Sequence, residues 1–304
     1  MKDQDFKQEI LIIQRHIVQN DNDEDFLFRT WGHFMKIAWC ITGAGHFLRE
    51  SFDVIHEIKL KNPDTKVTTF LSKAAEEVIR MYGLDKSLSN ISNGNYLEEC
   101  FYEREQGSSF PKAGRMLLRK YDALIVTPTT SNTTSKLAYG IADTLVTNAV
   151  ALAVKGSLPV YIVPVDIEGY IESKMPYFID REICMKCEIC PPIKQCPESA
   201  ITTQIDLLMC NGCGFCVKSC SYGAIRGGLA KIKVRDVDSR NVRILGELEG
   251  ITIVDHPGKI IDFVEEMQIL KYLTNNSSEN KVNRGKNLVP DKKGSDIDRF
   301  NNTG

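Results

Sequence analysis

The chain lacks the features that mark several large classes of protein. Its 38 basic and 40 acidic side chains leave a net charge of −2, so there is no electrostatic case for a nucleic-acid partner. No apolar run approaches the ~18 residues that suggest a membrane-spanning helix. We find no signal peptide and no G-x-G-x-x-G dinucleotide fingerprint. We therefore expect no nucleic acid, no membrane and no nicotinamide cofactor as partners.

Cysteine, in contrast, is concentrated in one stretch. Eight of the ten cysteines lie between residues 184 and 220, in two runs of C-x-x-C-x-x-C that are each followed by a fourth cysteine. In such runs three cysteines wrap one 4Fe–4S cluster, and the fourth ligates the other cluster. The spacing therefore predicts two clusters. The first is assigned to Cys184, Cys187, Cys190 and Cys220, and the second to Cys196, Cys210, Cys213 and Cys216.

Other interpretations of these cysteines are weaker. Zinc sites do not need the third cysteine of each run, and disulfide frameworks suit short secreted chains. Two departures from the usual cluster pattern are present: five residues separate Cys190 from Cys196, and Ser221 replaces the usual proline. Because thiolate ligands need reduced cysteines, we expect a cytoplasmic protein. Cys40 and Cys100 are interpreted as buried apolar residues.

Outside the cysteine region, short apolar strands alternate with helices. The predicted strands are 36–42, 66–71, 123–126, 160–163, 231–234 and 251–254. The predicted helices follow residue 47 or span 74–82, 137–155, 237–245 and 257–273. This alternation predicts an α/β fold, a flavodoxin-like or Rossmann-like parallel sheet with helices on both faces. A small bacterial-type ferredoxin domain with two 4Fe–4S clusters would be inserted into it.

The same pattern divides the chain into four parts. Residues 1–33 are predicted to be a polar extension, and residues 274–304, which are poor in apolar side chains, a disordered tail. The flavoprotein domain would span 34–176 and 229–273, with the ferredoxin module inserted at 177–228. An appended module would instead leave about 45 structured residues without an obvious core, below the size that usually folds alone.

Small and polar residues follow three of the predicted strands, where parallel sheets bind ligands. Residues 43–45 (Gly-Ala-Gly) open a helix, and such a turn lets the backbone approach an anion such as phosphate, although a plain tight turn is an equal alternative. Ser72 and Lys73 add a hydroxyl and a charge, or simply a helix N-cap. The segment 127–136 carries seven hydroxyls and one amide, more than helix capping needs.

This polar segment also resembles a known family. Residues 128–133 (Pro-Thr-Thr-Ser-Asn-Thr) and 140–145 (Gly-Ile-Ala-Asp-Thr-Leu) resemble the P-A-S-A-N-T segment and the G-I-A-D-x-L helix of the homo-oligomeric flavin-containing cysteine decarboxylase superfamily. Residues 71–84, together with the eight-cysteine module, are similar to its archaeal branch, the archaeal-type dihydromethanopterin reductase (acceptor) family. The resemblance spans residues 36–273.

The resemblance implies an iron–sulfur flavoprotein with FMN and two 4Fe–4S clusters. A ferredoxin-type donor would supply single electrons, and a pterin such as dihydromethanopterin would be reduced. The alternative is an electron-transfer module with a protein partner and no pterin. A homo-oligomer built on trimers is also implied. Decarboxylation is disfavoured, because residues 164–169 lack the P-x-M-N-x-x-M-W segment of the decarboxylases and no histidine matches their catalytic one.

The resemblance further assigns the cofactor contacts. The FMN phosphate and ribityl chain would be held by Gly43, Gly45, Ser72, Thr129 and Ser131. The isoalloxazine edge would lie near Asn132 and Thr133. The predicted site is completed by Ala44, Lys73, Thr127 and Thr130. His46 is either a phosphate contact or an exposed residue at a helix start. No catalytic side chain is predicted, because the chemistry belongs to the cofactors.

Overall fold

The computed structural model of the protein describes residues 34–271, and residues 34–265 form one compact unit. The strands are β1 (Lys36–Ile41), β2 (Lys66–Leu71), β3 (Cys100–Tyr102), β4 (Ala123–Thr129), β5 (Val160–Pro164), β6 (Tyr170–Ile179), β7 (Ile225–Lys233) and β8 (Ile251–Ile253). The helices are α1 (Leu48–Lys61), α2 (Lys73–Met81), α3 (Asp85–Ile91), α4 (Gly114–Leu117), α5 (Ser131–Ala138), α6 (Leu145–Lys155), α7 (Pro191–Gln195), α8 (Phe215–Ser219), α9 (Asp236–Gly246) and α10 (260–271). The predicted extension and tail lie outside the described residues.

Six strands form one sheet in the order β3-β2-β1-β4-β5-β8, and every neighbouring pair is parallel. Cys40 of β1 lies beside Phe70 of β2 on one side and Val126 of β4 on the other. All residues of β1, β2 and β4 except Lys36 and Lys66 are buried. Strands covered on both faces need apolar side chains at successive positions, which is why these strands are continuous apolar runs in the sequence. The predicted parallel α/β sheet is confirmed.

Successive residues of a strand contact different helices. The Trp39 ring meets Phe52 of α1 edge-on, with 4.9 Å between ring centroids. Cys40, the next residue, belongs to the apolar core that includes Val146 and Val150 of α6. The sheet is therefore covered on both faces, as its parallel strands require. Within residues 34–271, no helix combines the length and the apolar character needed to cross a membrane.

The chain between β4 and α6 differs from its prediction. β4 runs on to Thr129 and α5 begins at Ser131, so most of the expected polar loop is regular structure. The single helix predicted over 137–155 is wrong, because two helices occupy this stretch. Gly140, at φ 70°, takes the left-handed backbone conformation that follows α5. Thr144 then starts α6 through a capping box with Thr147, in which each side chain accepts the other's backbone N–H.

The cysteine segment leaves and rejoins the sheet domain through a ribbon of two antiparallel strands. β6 and β7 pair from Tyr170 and Lys233 at one end to Ile179 and Ile225 at the other. The strand predicted at 231–234 therefore belongs to this ribbon and not to the large sheet. Its alternating pattern reflects a strand that is exposed on one side. The predicted module boundaries, 177 and 228, fall inside the two ribbon strands.

Candidate functional site

The cysteines surround two cavities in the module beyond the ribbon. Cys184, Cys187, Cys190 and Cys220 line one cavity; we call them the first quartet. Cys196, Cys210, Cys213 and Cys216 line the other; we call them the second quartet. Each cavity thus brings together the four cysteines that the spacing groups, including the exchange of the fourth cysteine between the two runs. The assignment of these thiols as cluster ligands stays a prediction.

A short repeat positions the start of each run. The N–H of Cys184 donates to the carbonyl oxygen of Asp180 at 3.0 Å, and the N–H of Cys210 donates to that of Asp206 at 2.9 Å. The side chain of each aspartate also accepts a hydrogen bond from the backbone N–H two residues further on. These Asx turns hold the two loops in the same shape. The repeated D-x-x-x-C spacing is a signal for them that the sequence interpretation missed.

A second repeat places a hydrogen bond on the fourth cysteine of each run. The N–H of Ala200 donates to Sγ of Cys196 at 3.3 Å, and the N–H of Ala224 donates to Sγ of Cys220 at 3.4 Å. Hydrogen bonds to ligand sulfurs are among the factors that set cluster potentials. The sequence carries this feature as Cys-x-x-x-Ala-Ile, which also was missed.

The donor chemistry of both quartets fits an iron–sulfur cluster, which four cysteine thiolates hold. The first cavity, at about 540 Å³, is roomy, whereas the second, at about 10 Å³, has space for about one water molecule, so the second quartet would have to open to admit a cluster. No three His, Cys, Asp or Glu side chains in the described part of the chain converge on a point where a single ion would bind. In the narrower site, burial raises the pKa of the Cys216 thiol, and the nearby Cys210 and Cys213 raise it further.

The residues proposed for a flavin lie at the carboxyl ends of β1, β2 and β4. At Gly43 there is no room for a side chain, because an added Cβ would lie 2.4 Å from Cβ of Ala74 in α2. Gly45 is less strictly confined, because the atom 2.4 Å from an added Cβ is the Tyr82 hydroxyl, at the end of a side chain that can move. Ala44, between them, is buried. Glycine at position 43 is therefore a packing requirement, whatever ligand the turn binds.

The end of β2 provides a capped helix start. The Ser72 hydroxyl accepts the Ala75 N–H at 3.1 Å, so Ser72 is the N-cap of α2. The Ser72 N–H donates to the carbonyl oxygen of Ile41, which ties this loop to β1. Lys73, the first residue of α2, has an exposed side chain. The loop thus offers an exposed cation beside the confined glycine turn.

Thr127 and Thr129 are completely buried, and their hydroxyls are bonded inside the protein. The Thr127 hydroxyl shares a hydrogen bond of 2.7 Å with Ser51 of α1. The Thr129 hydroxyl donates to the carbonyl oxygen of Val126 at 2.9 Å. These two threonines hold the end of β4 in place. Contact of Thr127 or Thr129 with a flavin stays a prediction. Because both hydroxyls are already bonded inside the protein, such a contact would have to come from backbone atoms.

The remaining polar residues lie at the start of α5. The Thr130 hydroxyl caps the helix by accepting the Thr133 N–H at 3.3 Å. Asn132 is exposed, and Ser131 is half-buried, with its hydroxyl donating a hydrogen bond to the carboxylate of Asp166. The structure therefore leaves Ser131, Asn132 and Thr133 at the surface of the site, next to an acidic side chain that follows β5.

Tertiary structure adds residues that the sequence interpretation had not grouped. The His46 and Phe47 rings lie 4.0 Å apart, and Phe47 meets His256 edge-on at 5.1 Å. Burial lowers the pKa of His46; Glu50 and Asp166 raise it in part, and His256 lowers it. Asp166 and His256 follow β5 and β8, so the rule that ligands bind at strand ends would have indicated both.

The two free thiols outside the module are consistent with packing roles. Cys40 is completely buried in β1, and burial raises its pKa far above the ordinary range. Cys100 is only partly buried, so the prediction of a buried residue is wrong in degree, and this burial raises its pKa to about 11. A thiol that stays protonated is a poor nucleophile and a poor metal ligand.

Comparisons with known proteins match two separate parts of the chain. The Flavoprotein family model matches residues 32–172, and the 4Fe-4S binding domain model matches residues 203–226. Dihydromethanopterin reductase (acceptor) of Methanosarcina mazei is 60% identical over 235 residues, which cover 75% of this chain and 98% of that protein. The enzyme of the same name from Methanocaldococcus jannaschii is 50% identical over 240 residues, covering 77% and 97%.

Among solved structures, DmrB of Burkholderia xenovorans in complex with FMN, described as a cubic protein cage for redox transfer, is similar to this chain. Its TM-score is 0.49 at 25% identity, with 76% of this chain and 93% of that chain covered.

Proposed function

The chain belongs to the dihydromethanopterin reductase (acceptor) family, and on that premise we propose that this oxidoreductase uses two 4Fe–4S clusters and FMN to transfer electrons from a ferredoxin-type donor to a pterin such as dihydromethanopterin. One observation carries the proposal. The two cysteine quartets and the polar ends of β1, β2 and β4 belong to the same compact unit, residues 34–265.

The electron count follows from the substrate. Reduction of a pterin C=N bond takes up two electrons and two protons, so two molecules of a one-electron donor are each oxidised once per turnover. When bound, clusters of this type would carry electrons singly and FMN would supply a hydride equivalent. The protein's own residues hold these groups and bind the donor and the substrate.

Charge indicates how the flavin would be oriented. A phosphate is repelled by the Asp166 carboxylate, which is hydrogen-bonded to Ser131, and is attracted by a cation such as Lys73. The phosphate therefore fits the side formed by Gly43, Gly45 and Lys73. Ser131, Asn132 and Thr133 are then left for the ribityl chain and the isoalloxazine edge. Asn132→Ala should weaken flavin binding without reducing the iron content.

The substrate assignment comes from the family, and a competing function is electron transfer to a protein partner without a pterin. The two differ in what oxidises the reduced flavin. We expect a dihydropterin added without oxygen to reoxidise it in single-turnover mixing. Reoxidation by an electron-transfer protein but by no pterin would favour the competing function.

Cofactor analysis tests the core of the proposal. Anaerobically purified protein should contain about eight irons and eight acid-labile sulfides per chain, together with FMN released by heat. Reduced ferredoxin should bleach the flavin, whereas NADH and NADPH should not, because the nicotinamide fingerprint is absent. An FAD peak, four irons per chain, or rapid reduction by NADPH would each contradict it.

A homo-oligomer built on trimers is part of the same proposal. Tyr139 and Ile141 are 59% and 48% exposed. They lie in the turn after the end of α5, and some of the proposed flavin contacts lie at the start of the same helix. Exposed apolar side chains beside a binding site are suited to a subunit interface. Sedimentation should give a trimer or a multiple of it; a monomer loaded with flavin would contradict this assembly.

A further inference from the structure

The two quartets lie at different positions along the ribbon. The cavity of the first quartet is lined by Ile179 and Ile225, the last residue pair of the ribbon. Cys210 of the second quartet and the two residues after it line a cavity together with Lys174 and Met175 in the middle of β6. Ile179 lies five positions beyond Lys174 along the strand, about 16 Å away. The second quartet is therefore the one nearer the sheet domain.

A small cavity of about 60 Å³ lies between the second quartet and the sheet domain, and we call it the joining cavity. Arg49 of α1 and Tyr82, which follows α2, form one part of its wall, and Cys210 forms another. Cys210 also lines the cavity of the second quartet. The cavity of the first quartet, in contrast, is lined entirely by residues 179–225.

Tyr82 connects this cavity to the proposed flavin site. Its hydroxyl is packed on Gly45, where an added Cβ would lie 2.4 Å away. Arg49 holds Tyr82 in place, because Nη2 donates to the Tyr82 carbonyl oxygen at 2.9 Å and the guanidinium carbon lies 5.5 Å from the ring centroid. One side chain therefore reaches from the cavity to the glycine turn after β1.

Tyr177 occupies the corresponding position on the side of the module. Its hydroxyl lies 2.9 Å from the position of an added Cβ on Gly214, which stands between Cys213 and Cys216. Its ring packs on Gly228 of β7, where an added Cβ would lie 3.3 Å from the ring. Tyr177 and Tyr82 both line the joining cavity.

We propose that the second quartet is the cluster site that faces the flavin, and that Tyr82 and Tyr177 form the protein contact between these two cofactor sites. This assignment rests on the proposed function, because it requires the flavin and both clusters to be bound. The first quartet is then the site that an external one-electron donor reaches.

Cys213→Ser and Cys187→Ser form a matched pair of variants, because both thiols are exposed and each is the middle cysteine of its run. Each variant should keep its flavin and lose the electron paramagnetic resonance signal of one cluster. The measurement is the fluorescence of the oxidised bound flavin, since a nearby cluster quenches it by transfer that falls steeply with distance. Cys213→Ser should raise the fluorescence several-fold, and Cys187→Ser should leave it nearly unchanged. An equal or larger rise in Cys187→Ser would overturn the assignment.

Tyr177→Leu provides a second measurement that leaves all cysteines in place. It should shift the reduction potential of the cluster that Cys213→Ser removes and leave the other potential unchanged. Tyr222→Leu is the control, because Tyr222 is 56% exposed and lines the cavity of the first quartet. A Tyr177→Leu shift confined to the cluster that Cys187→Ser removes would refute the assignment. Failure of the proposed function would be recognised differently, because the unmutated protein would then lack flavin or one of the clusters. In that case the assignment would be wrong as well.

Discussion

On one face of the large sheet, a continuous core of 21 buried residues runs from Ala38 of β1 to Leu245 of α9. The module beyond the ribbon has a core of five, and Tyr177 and four cysteines pack against it. Ordering one residue costs about 1–2 kcal/mol of chain entropy, so a five-residue core cannot stabilise a segment as long as 180–224. We therefore expect the sheet domain to fold on apolar burial alone and the module to depend on what its cysteines bind.

The same difference extends to the surface. Met185, Ile189, Phe215 and Tyr222 of the module are each more than half exposed. In the sheet domain Trp39 and Phe70 are completely buried, and Tyr96, Leu118 and Tyr139, which are more than half exposed, lie in turns. A module held by ligands does not need to bury its apolar side chains, which leaves them available for contact with a partner.

Removal of iron should give the largest effect, because it separates the two regions. Anaerobic chelation should unfold residues 180–224, since free energy of metal binding is also free energy of folding. Trypsin should then cut at exposed basic residues of the module such as Arg181, Lys186 and Lys218. Mass spectrometry should find β1 and β4 intact in the same digest. Cuts in those strands at the same dose would mean that the sheet domain also depends on the clusters.

A cavity in the sheet core should have the next largest effect. Leu124 of β4 is completely buried, and Leu124→Ala should lower the free energy of unfolding by about 2–5 kcal/mol. Leu229→Ala is the control, because Leu229 on the ribbon is 75% exposed and its loss should change stability by less than about 0.5 kcal/mol. Urea unfolding followed by circular dichroism measures both. Equal losses of unfolding free energy in the two variants would show that the ribbon and the sheet core contribute equally to stability.

A substitution in the glycine turn should cost less stability but affect the site. Gly43→Ala places a methyl group 2.4 Å from Cβ of Ala74, so the start of α2 must move, at about 1–3 kcal/mol. Flavin affinity should fall as well. Gly114→Ala is the matched control, because no atom lies within 4 Å of an added Cβ there. Thermal unfolding and flavin titration should separate the two variants; identical curves would contradict the packing argument.

The smallest effect should be a dependence on pH that is confined to the sheet domain. Burial holds the pKa of His46 below its ordinary value of 6.5. The unfolded chain therefore binds a proton more readily than the folded protein near and below that pH, so stability should fall as the pH drops through this range and recover above it. His46→Gln should flatten this part of the profile, and His56→Gln, at an exposed position of α1, should leave it unchanged. If the dependence of stability on pH is unaltered in His46→Gln, His46 is not its cause.

Several elements were predictable because their signal is local. The apolar runs at β1, β2 and β4 are continuous, since both faces of these strands are covered. The three-residue edge strand β3 has too few residues for a pattern, and it was missed. The break between α5 and α6 was missed because a helical pattern is present on both sides of the turn around Gly140.

The sequence by itself determined the parallel sheet and the grouping of the cysteines into two quartets, because apolar runs and ligand spacing are properties of neighbouring residues. Only the tertiary structure decided which hydroxyls of residues 127–133 stay at the surface. The buried Thr127 hydroxyl is bonded to Ser51, 76 positions away along the chain, and the Ser131 hydroxyl is bonded to Asp166, 35 positions away. The position of each quartet along the ribbon was decided in the same way. Such contacts depend on which strands are adjacent and in what register, and no short stretch of sequence contains that information.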